Sequence, residues 1–287
     1  MLNFHGKRVL ITGAGHGLGR ALAETFALAG AEIIVTDVNP DGIAETTAML
    51  KEQGHSAVGY IMDVTDPQSV RDVRGQLHDD HGPIDVLVNN AGIVHGGRFL
   101  EVTLDRHLKT YEINTHGVVI VTHAFLPDLI AQKEGHLVII GSAAGMLPLS
   151  YASTYASSKS AVYGFAESIR EELRVTGHKH VGVTAVCPSY LSTGLFNGVK
   201  PPKFTSMLTP ERLSGIVLKS VRGNRELVLA PWIVNLIPLG NALLPRAISR
   251  WLLDWLGVTV GMSSWNGHAG RAQEEPIHGG TETLFVS

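Results

Sequence analysis

A single α/β domain built on a doubly wound parallel sheet of about seven strands is predicted by three features of the sequence. First, seven short runs rich in β-branched residues are mostly apolar throughout rather than alternating, the pattern of strands buried on both faces. They are Arg8–Thr12, Glu32–Thr36, Ala57–Met62, Asp85–Val88, His136–Ile140, Val181–Cys187 and Glu226–Leu229. Second, stretches with helical apolar spacing lie between them: Gly17–Ala29, Gly42–Gln53, Pro67–His78, Leu104–Leu129 and Ala152–Val175. Alternating strand and helix imply right-handed crossovers. Third, small or polar residues follow the runs: Gly13, Asp37, Asp63, Asn89 to Gly92, Gly141-Ser142 and Pro188-Ser189. In a parallel sheet these ends share one edge, where ligands of open α/β sheets bind.

Composition narrows the function. The 287 residues carry a net charge of -3 and no basic run, which argues against an electrostatic grip on nucleic acid. The single cysteine, Cys187, excludes an internal disulfide and fits a reducing, cytoplasmic compartment. Met1 to Arg8 lacks the apolar core of a signal peptide, and no long uncharged apolar run implies a spanning helix. Fourteen histidines show no metal-ligand spacing, so no metal is expected.

The first turn, Thr12-Gly13-Ala14-Gly15-His16-Gly17-Leu18-Gly19, joins a strand to a helix. Glycines there let backbone approach a diphosphate, and the helix start offers free N–H groups to that anion. Asp37 ends the second strand, where a carboxylate accepts hydrogen bonds from both ribose hydroxyls of an adenosine and repels a 2′-phosphate. No Lys or Arg occupies residues 14 to 18 or 38 to 40, so NAD is expected over NADP. Further along, Tyr155 and Lys159 stand four apart at the start of a helical stretch, which places them on one face. An ammonium beside a phenol favours the ionised phenol, so Lys159 is expected to pull the Tyr155 pKa down from about 10.

With these residues in hand, the stretch from about residue 5 to about residue 230 resembles the short-chain dehydrogenase/reductase family. The resemblance rests on the glycine turn, Asp63, Asn89-Asn90-Ala91-Gly92, Asn114, Ser142, and Tyr155 with Lys159, all in the family's order. It implies a Rossmann-type fold and a catalytic tetrad of Asn114, Ser142, Tyr155 and Lys159. Tyr155 would exchange the substrate proton, Ser142 would orient the substrate oxygen, and Asn114 would hold a water linking Lys159 to solvent. The cofactor would lie along Gly13, His16, Gly17, Leu18, Gly19, Asp37, Asn89, Asn90, Ala91 and Gly92, with Asp63 and Val64 at the adenine. Tyr155, Lys159, Pro188 and Thr193 would hold the nicotinamide end. The family usually has glycine after that proline; here Ser189 replaces it, which questions the backbone placement there.

Specificity is expected in a lid over residues 189–208, broken by Gly194, Gly198, Pro201 and Pro202. Its apolar members include Leu191, Leu195, Phe196, Phe204 and Met207, with Met146, Leu147 and Leu149 facing the same cavity and His95 near its mouth. Such a lid suits a lipophilic secondary alcohol or ketone of steroid, retinoid or long-chain type, although the same residues also serve to pack a lid. An apolar helical segment follows over 231–257. In its last part Arg246, Arg250 and Asp254 form one stripe opposite an apolar face bearing Trp251 and Trp255. It is similar in character to segments by which some steroid- and retinol-type members meet lipid membranes. A membrane surface, a second subunit or the lid could cover it. Residues 1–262 thus form the domain and 263–287 a mobile tail, with a homodimer or homotetramer implied by family analogy. The rival readings are an NADP-dependent acyl-chain or sugar ketone reductase and a non-catalytic cofactor-sensing protein.

Overall fold

The computed structural model describes residues 2–203 and 205–267; the expectations placed on Phe204 and on residues 268–287 lie outside them. In chain order the elements begin β1 (Arg8–Thr12), α1 (Gly17–Leu28), β2 (Glu32–Asp37), α2 (Pro40–Glu52), β3 (Ala57–Ile61), α3 (Pro67–Asp80) and β4 (Val86–Asn89). After them come α4 (Leu104–Tyr111), α5 (Gly117–Ala131), β5 (Gly135–Ile140), α6 (Ser153–Val175) and β6 (Val181–Pro188). The last are α7 (Pro210–Arg222), β7 (Leu227–Ala230), α8 (Leu236–Leu243) and α9 (Arg246–Leu256). The strands form one parallel sheet in the order β3-β2-β1-β4-β5-β6-β7. The chain therefore leaves β1 in one direction and returns at β4 to build the other half. A crevice opens at that reversal, at the carboxyl ends of β1 and β4.

Each face of the sheet has its own apolar layer. On one, Leu22 and Phe26 of α1 and Leu213, Val217 and Val221 of α7 close over Val9, Ile11, Val88 and Val186. On the other, Val73 and Leu77 of α3, Val121 and Phe125 of α5 and Val162 and Ala166 of α6 cover Leu10, Leu87, Leu137 and Ile139. This double coverage explains why the central strands are apolar at every position.

Two departures from the sequence reading concern helices. α7 was not anticipated; Thr209 caps it by accepting a hydrogen bond from the Arg212 N–H, Pro210 starts it, and it buries against α1. The stretch expected as one helix over Leu104–Leu129 is two, α4 and α5, separated by a π turn at Glu112–His116. The wider turn carries Asn114, which is wholly buried.

His136 on β5 gives a testable link between burial and stability. Its Nε2 lies 2.8 Å from Thr184 Oγ1, and that hydroxyl donates to Arg225 O at 2.7 Å. The hydroxyl proton is thus committed, so Nε2 donates and the ring is the neutral tautomer. Burial lowers the His136 pKa from 6.5 to about 4. A lowered folded-state value means that the stability it contributes is complete above 6.5 and is lost as pH falls through 6.5 toward 4. The size is about 3 kcal/mol. Urea unfolding of wild type and His136→Val at pH 7 and pH 4 should show that much more acid loss in wild type. Equal losses would show that the ring does not titrate on unfolding.

Candidate active site

The glycine turn is held rigidly from behind. Arg20 donates to Gly15 O at 2.5 Å, to Thr46 Oγ1 at 2.9 Å and to Glu45 Oε2 at 2.7 Å, which ties the turn to α2. Across the crevice Thr12 Oγ1 accepts from the backbone N–H of both Asn90 and Ala91 at 3.0 Å. The Asn90 side chain donates back to Thr12 O and Gly13 O at 2.9 and 3.1 Å. Asn90 is therefore a strut between the β1 and β4 turns. Gly13 and Gly17 hold left-handed conformations, φ +64 and +55. A Cβ at Gly13 would stand 2.9 Å from Ala91 Cα.

These turns line one side of a long cleft that includes Gly13, His16, Gly17, Leu18, Gly19, Asp37, Ala91 and Gly92. α1 begins there with no side-chain cap and no acid in its first turn. Its unpartnered N–H groups fit the diphosphate of a dinucleotide. Asp37 is buried, and its carboxylate accepts from Gly15 N at 2.9 Å and Asn39 N at 3.1 Å, which fixes it at the cleft wall. Lys159 is the only Lys or Arg among the lining residues, and it stands at the opposite end from Asp37. The residues present thus fit a dinucleotide.

Of the expected cofactor residues, Asn89, Asp63 and Val64 lie outside the cleft lining. Asn89 is buried and donates to Thr122 Oγ1 at 2.8 Å. The Asp63 carboxylate accepts from Thr65 N and Thr65 Oγ1, at 2.8 and 2.7 Å, as a turn residue ahead of α3. Pro188 and Thr193 do line the cleft, and Thr193 packs opposite Gly17. Ser189, in place of the family glycine, costs no strain: among the described residues the positive-φ non-glycines are Tyr151 and Asn224.

At the far end of the cleft, β5 delivers Ser142 and α6 delivers Tyr155 and Lys159. Ser142 stands near the Tyr155 hydroxyl, where it acts to lower the phenol's pKa, and caps a short turn by accepting from Ala144 N at 3.1 Å. Lys159 donates to Ile140 O at 2.9 Å, and its ammonium is 5.9 Å from the Tyr155 ring centre. The expected fall in the Tyr155 pKa is not what burial produces. Desolvation pushes the phenol up to about 12 and pulls Lys159 down to about 8; Ser142 alone works to lower Tyr155. The sign was misjudged because both groups leave water together. Asn114 lies one layer behind. It accepts from Ile93 N at 2.8 Å and donates to Ile93 O at 2.9 Å and Ser158 Oγ at 3.0 Å. Both of its N–H donors are used, so it ties the β4 loop to α6.

A second, almost wholly apolar cavity of about 360 Å³ meets the cleft at Ser142, Tyr155, Ser189 and Phe196. That size suits a lipophilic small molecule. Leu147, Leu149, Tyr190 and Phe196 wall the near part, and α8 and α9 the far part. Tyr190 was missed by the sequence reading; its ring packs edge-on against Phe196, and Phe196 against Tyr155. His95 is instead placed beside Thr110, Nδ1 to Oγ1 3.2 Å. The expected tail also begins later than residue 263. Trp265 donates to Leu195 O at 3.1 Å, and Asn266 N donates to Asn197 O at 3.2 Å, so residues 261–266 dock on the lid.

Comparison with known proteins agrees with this geometry. The chain is 34% identical over 266 residues to epidermal retinol dehydrogenase 2 of Homo sapiens, covering 92% of this chain and 86% of that one. It is 30% identical over 243 residues to estradiol 17-beta-dehydrogenase 11 of Mus musculus, covering 84% and 80%. Among solved structures, a short-chain dehydrogenase/reductase from Burkholderia phymatum in complex with NAD superposes with a TM-score of 0.77 at 26% identity, covering 84% of this chain and 95% of that one. Residues 7–203 match the short chain dehydrogenase family model, and the chain belongs to that family of oxidoreductases.

Proposed function

We propose that the protein is an NAD-dependent oxidoreductase interconverting a lipophilic secondary alcohol and its ketone, with Tyr155 as acid and base. The observation that carries this reading is the junction of a dinucleotide-shaped cleft and an apolar cavity at Ser142 and Tyr155. Bound NAD supplies a hydride acceptor, and NADH a hydride donor. The chain supplies the rest. Ser142 orients the substrate oxygen, Tyr155 takes its proton during oxidation or returns it during reduction, and Lys159 is the neighbouring proton site. The apolar walls exclude water from the reacting centre. The names of the retinol and estradiol dehydrogenases support an apolar alcohol as substrate, and the estradiol name a secondary one.

NADH formation across a panel of steroids, retinol, long-chain secondary alcohols and polyols tests it. Turnover is expected with the apolar alcohols; turnover confined to polyols would refute the reading. The cofactor choice rests on Asp37. Asp37→Ala should weaken NADH binding about tenfold and narrow the gap to NADPH, by fluorescence titration. Tighter wild-type binding of NADPH than of NADH would favour an acyl-chain or sugar ketone reductase instead.

The helices over the cavity also support an association reading. Trp232, Leu243, Ile248 and Trp251 are exposed to half or more. Such a strip suits a second copy of the chain or the surface of a membrane. Among the described residues no helix is long and apolar enough to cross a membrane, so contact with one would be peripheral. Cys187 is buried, free and pushed up to about 11 by burial, which keeps the chain's single thiol inert and accords with a cytoplasmic location. Light scattering and vesicle flotation separate the two associations.

A further inference from the structure

The apolar cavity carries further polar groups. Besides Ser142 and Tyr155, the lid and α9 bring Lys203 and Ser249 into its wall. Lys203 is the only charged residue among the described residues lining the cavity. Its position is fixed twice. Its backbone N–H donates to Leu256 O at 2.9 Å, at the carboxyl end of α9, and its ammonium lies 5.1 Å from the centre of the Trp255 ring. Ring and helix end both favour a cation there. Neither takes up its N–H donors in an ion pair, and no described carboxylate pairs with it. Ser249 projects from the cavity side of α9, and its hydroxyl has no hydrogen-bond partner among the described residues. Most of the remaining wall is apolar, with side chains such as Leu147, Phe196, Leu252 and Leu256.

We propose that the cavity selects an amphipathic substrate: an apolar secondary alcohol or ketone bearing a carboxylate at the end remote from the carbinol. Lys203 reads that carboxylate, with Ser249 donating a second hydrogen bond. The charge argues for an anion over a neutral polar group. No acid lines the cavity to repel one, and an ammonium is a point donor that gains most from a full negative charge. A charged group at Lys203 and a reacting centre at Tyr155 would fix which way round the molecule enters. The inference rests on the redox reading of Ser142 and Tyr155 and adds to it the class of substrate.

A matched pair tests it: a long-chain secondary hydroxy acid and its methyl ester. Wild type should favour the acid by about tenfold in kcat/KM, the effect being limited by solvent screening of the exposed ammonium. The preference should lie in KM and shrink with added salt. Lys203→Met should abolish it by raising KM for the acid far more than for the ester. Ser249→Ala should reduce it partially and serves if the lysine variant folds poorly. Calorimetric binding of both ligands reads the same preference without turnover. Acid bound more tightly than ester but never oxidised would uphold the Lys203 role and sink the redox reading. Equal binding of acid and ester to wild type, or a preference that survives Lys203→Met, would overturn the proposal.

Discussion

Replacing Tyr155 by Phe should lower kcat by about 10³-fold while leaving NADH affinity within about twofold of wild type. The substitution removes one oxygen and keeps the ring. That ring is packed edge-on to Phe196 at 5.9 Å between centres, so the lid's inner surface should stay in place. What is lost is the one phenol that faces both the cofactor cleft and the apolar cavity. Ser142 loses a neighbouring hydroxyl too, but its oxygen still accepts from Ala144 N, so its position should hold. Stopped-flow single turnovers and a fluorescence titration of NADH separate the two effects. Retention of a tenth or more of wild-type kcat would show that some other group carries the proton. Tyr190 is the nearest candidate, since it lines the same cavity with a phenol that burial pushes up to about 12.

How far the sequence disclosed this site follows from what each residue's role depends on. β1 was read with its true limits and most other strands within a residue at each end, because strands sandwiched between two helical layers must be apolar throughout. Gly13, Asp37, Ser142, Tyr155 and Lys159 were legible because the chain order of the elements fixes which end of the sheet they reach. α7 was missed although Thr209-Pro210 and the spacing of Leu213, Val217 and Val221 announce it; the lid's irregular composition drew the reading past it. The π turn around Asn114 left no mark, since one widened turn barely alters apolar periodicity. Asp63 and Asn89 were given to the cofactor by the family resemblance; in the structure the Asp63 carboxylate accepts from Thr65 and the Asn89 amide donates to Thr122. The polar groups Lys203 and Ser249 in the cavity wall were invisible because they belong to different elements that only folding brings together. The direction of the Tyr155 shift was likewise hidden. Spacing gives the neighbour, but burial, which outweighs it, is a property of the assembled core.

That burial makes the lysine's contribution measurable. With Lys159 at about 8 and Tyr155 at about 12, the pair gives up its first proton near pH 8. Because the two groups are neighbours, the species left behind interconverts between neutral phenol with neutral amine and phenolate with ammonium. The second form is the base that oxidation needs. In wild type, kcat/KM for oxidation should therefore rise as pH climbs toward 8 and level off above it. Lys159→Met leaves the phenol to ionise alone, without the ammonium that favours its charged form. At pH 7 the available phenolate should then fall by about 10- to 10³-fold, the loss expected when an opposite charge close to an acid is removed. Activity in the variant should climb steadily to pH 10 with no plateau. The variant also loses the bond to Ile140 O, so its NADH affinity must be measured alongside. A variant profile that levels off near pH 8, as in wild type, would mean that Lys159 does not set the proton inventory of the site. A plateau that disappears while NADH binding persists would assign that inventory to the Tyr155–Lys159 pair.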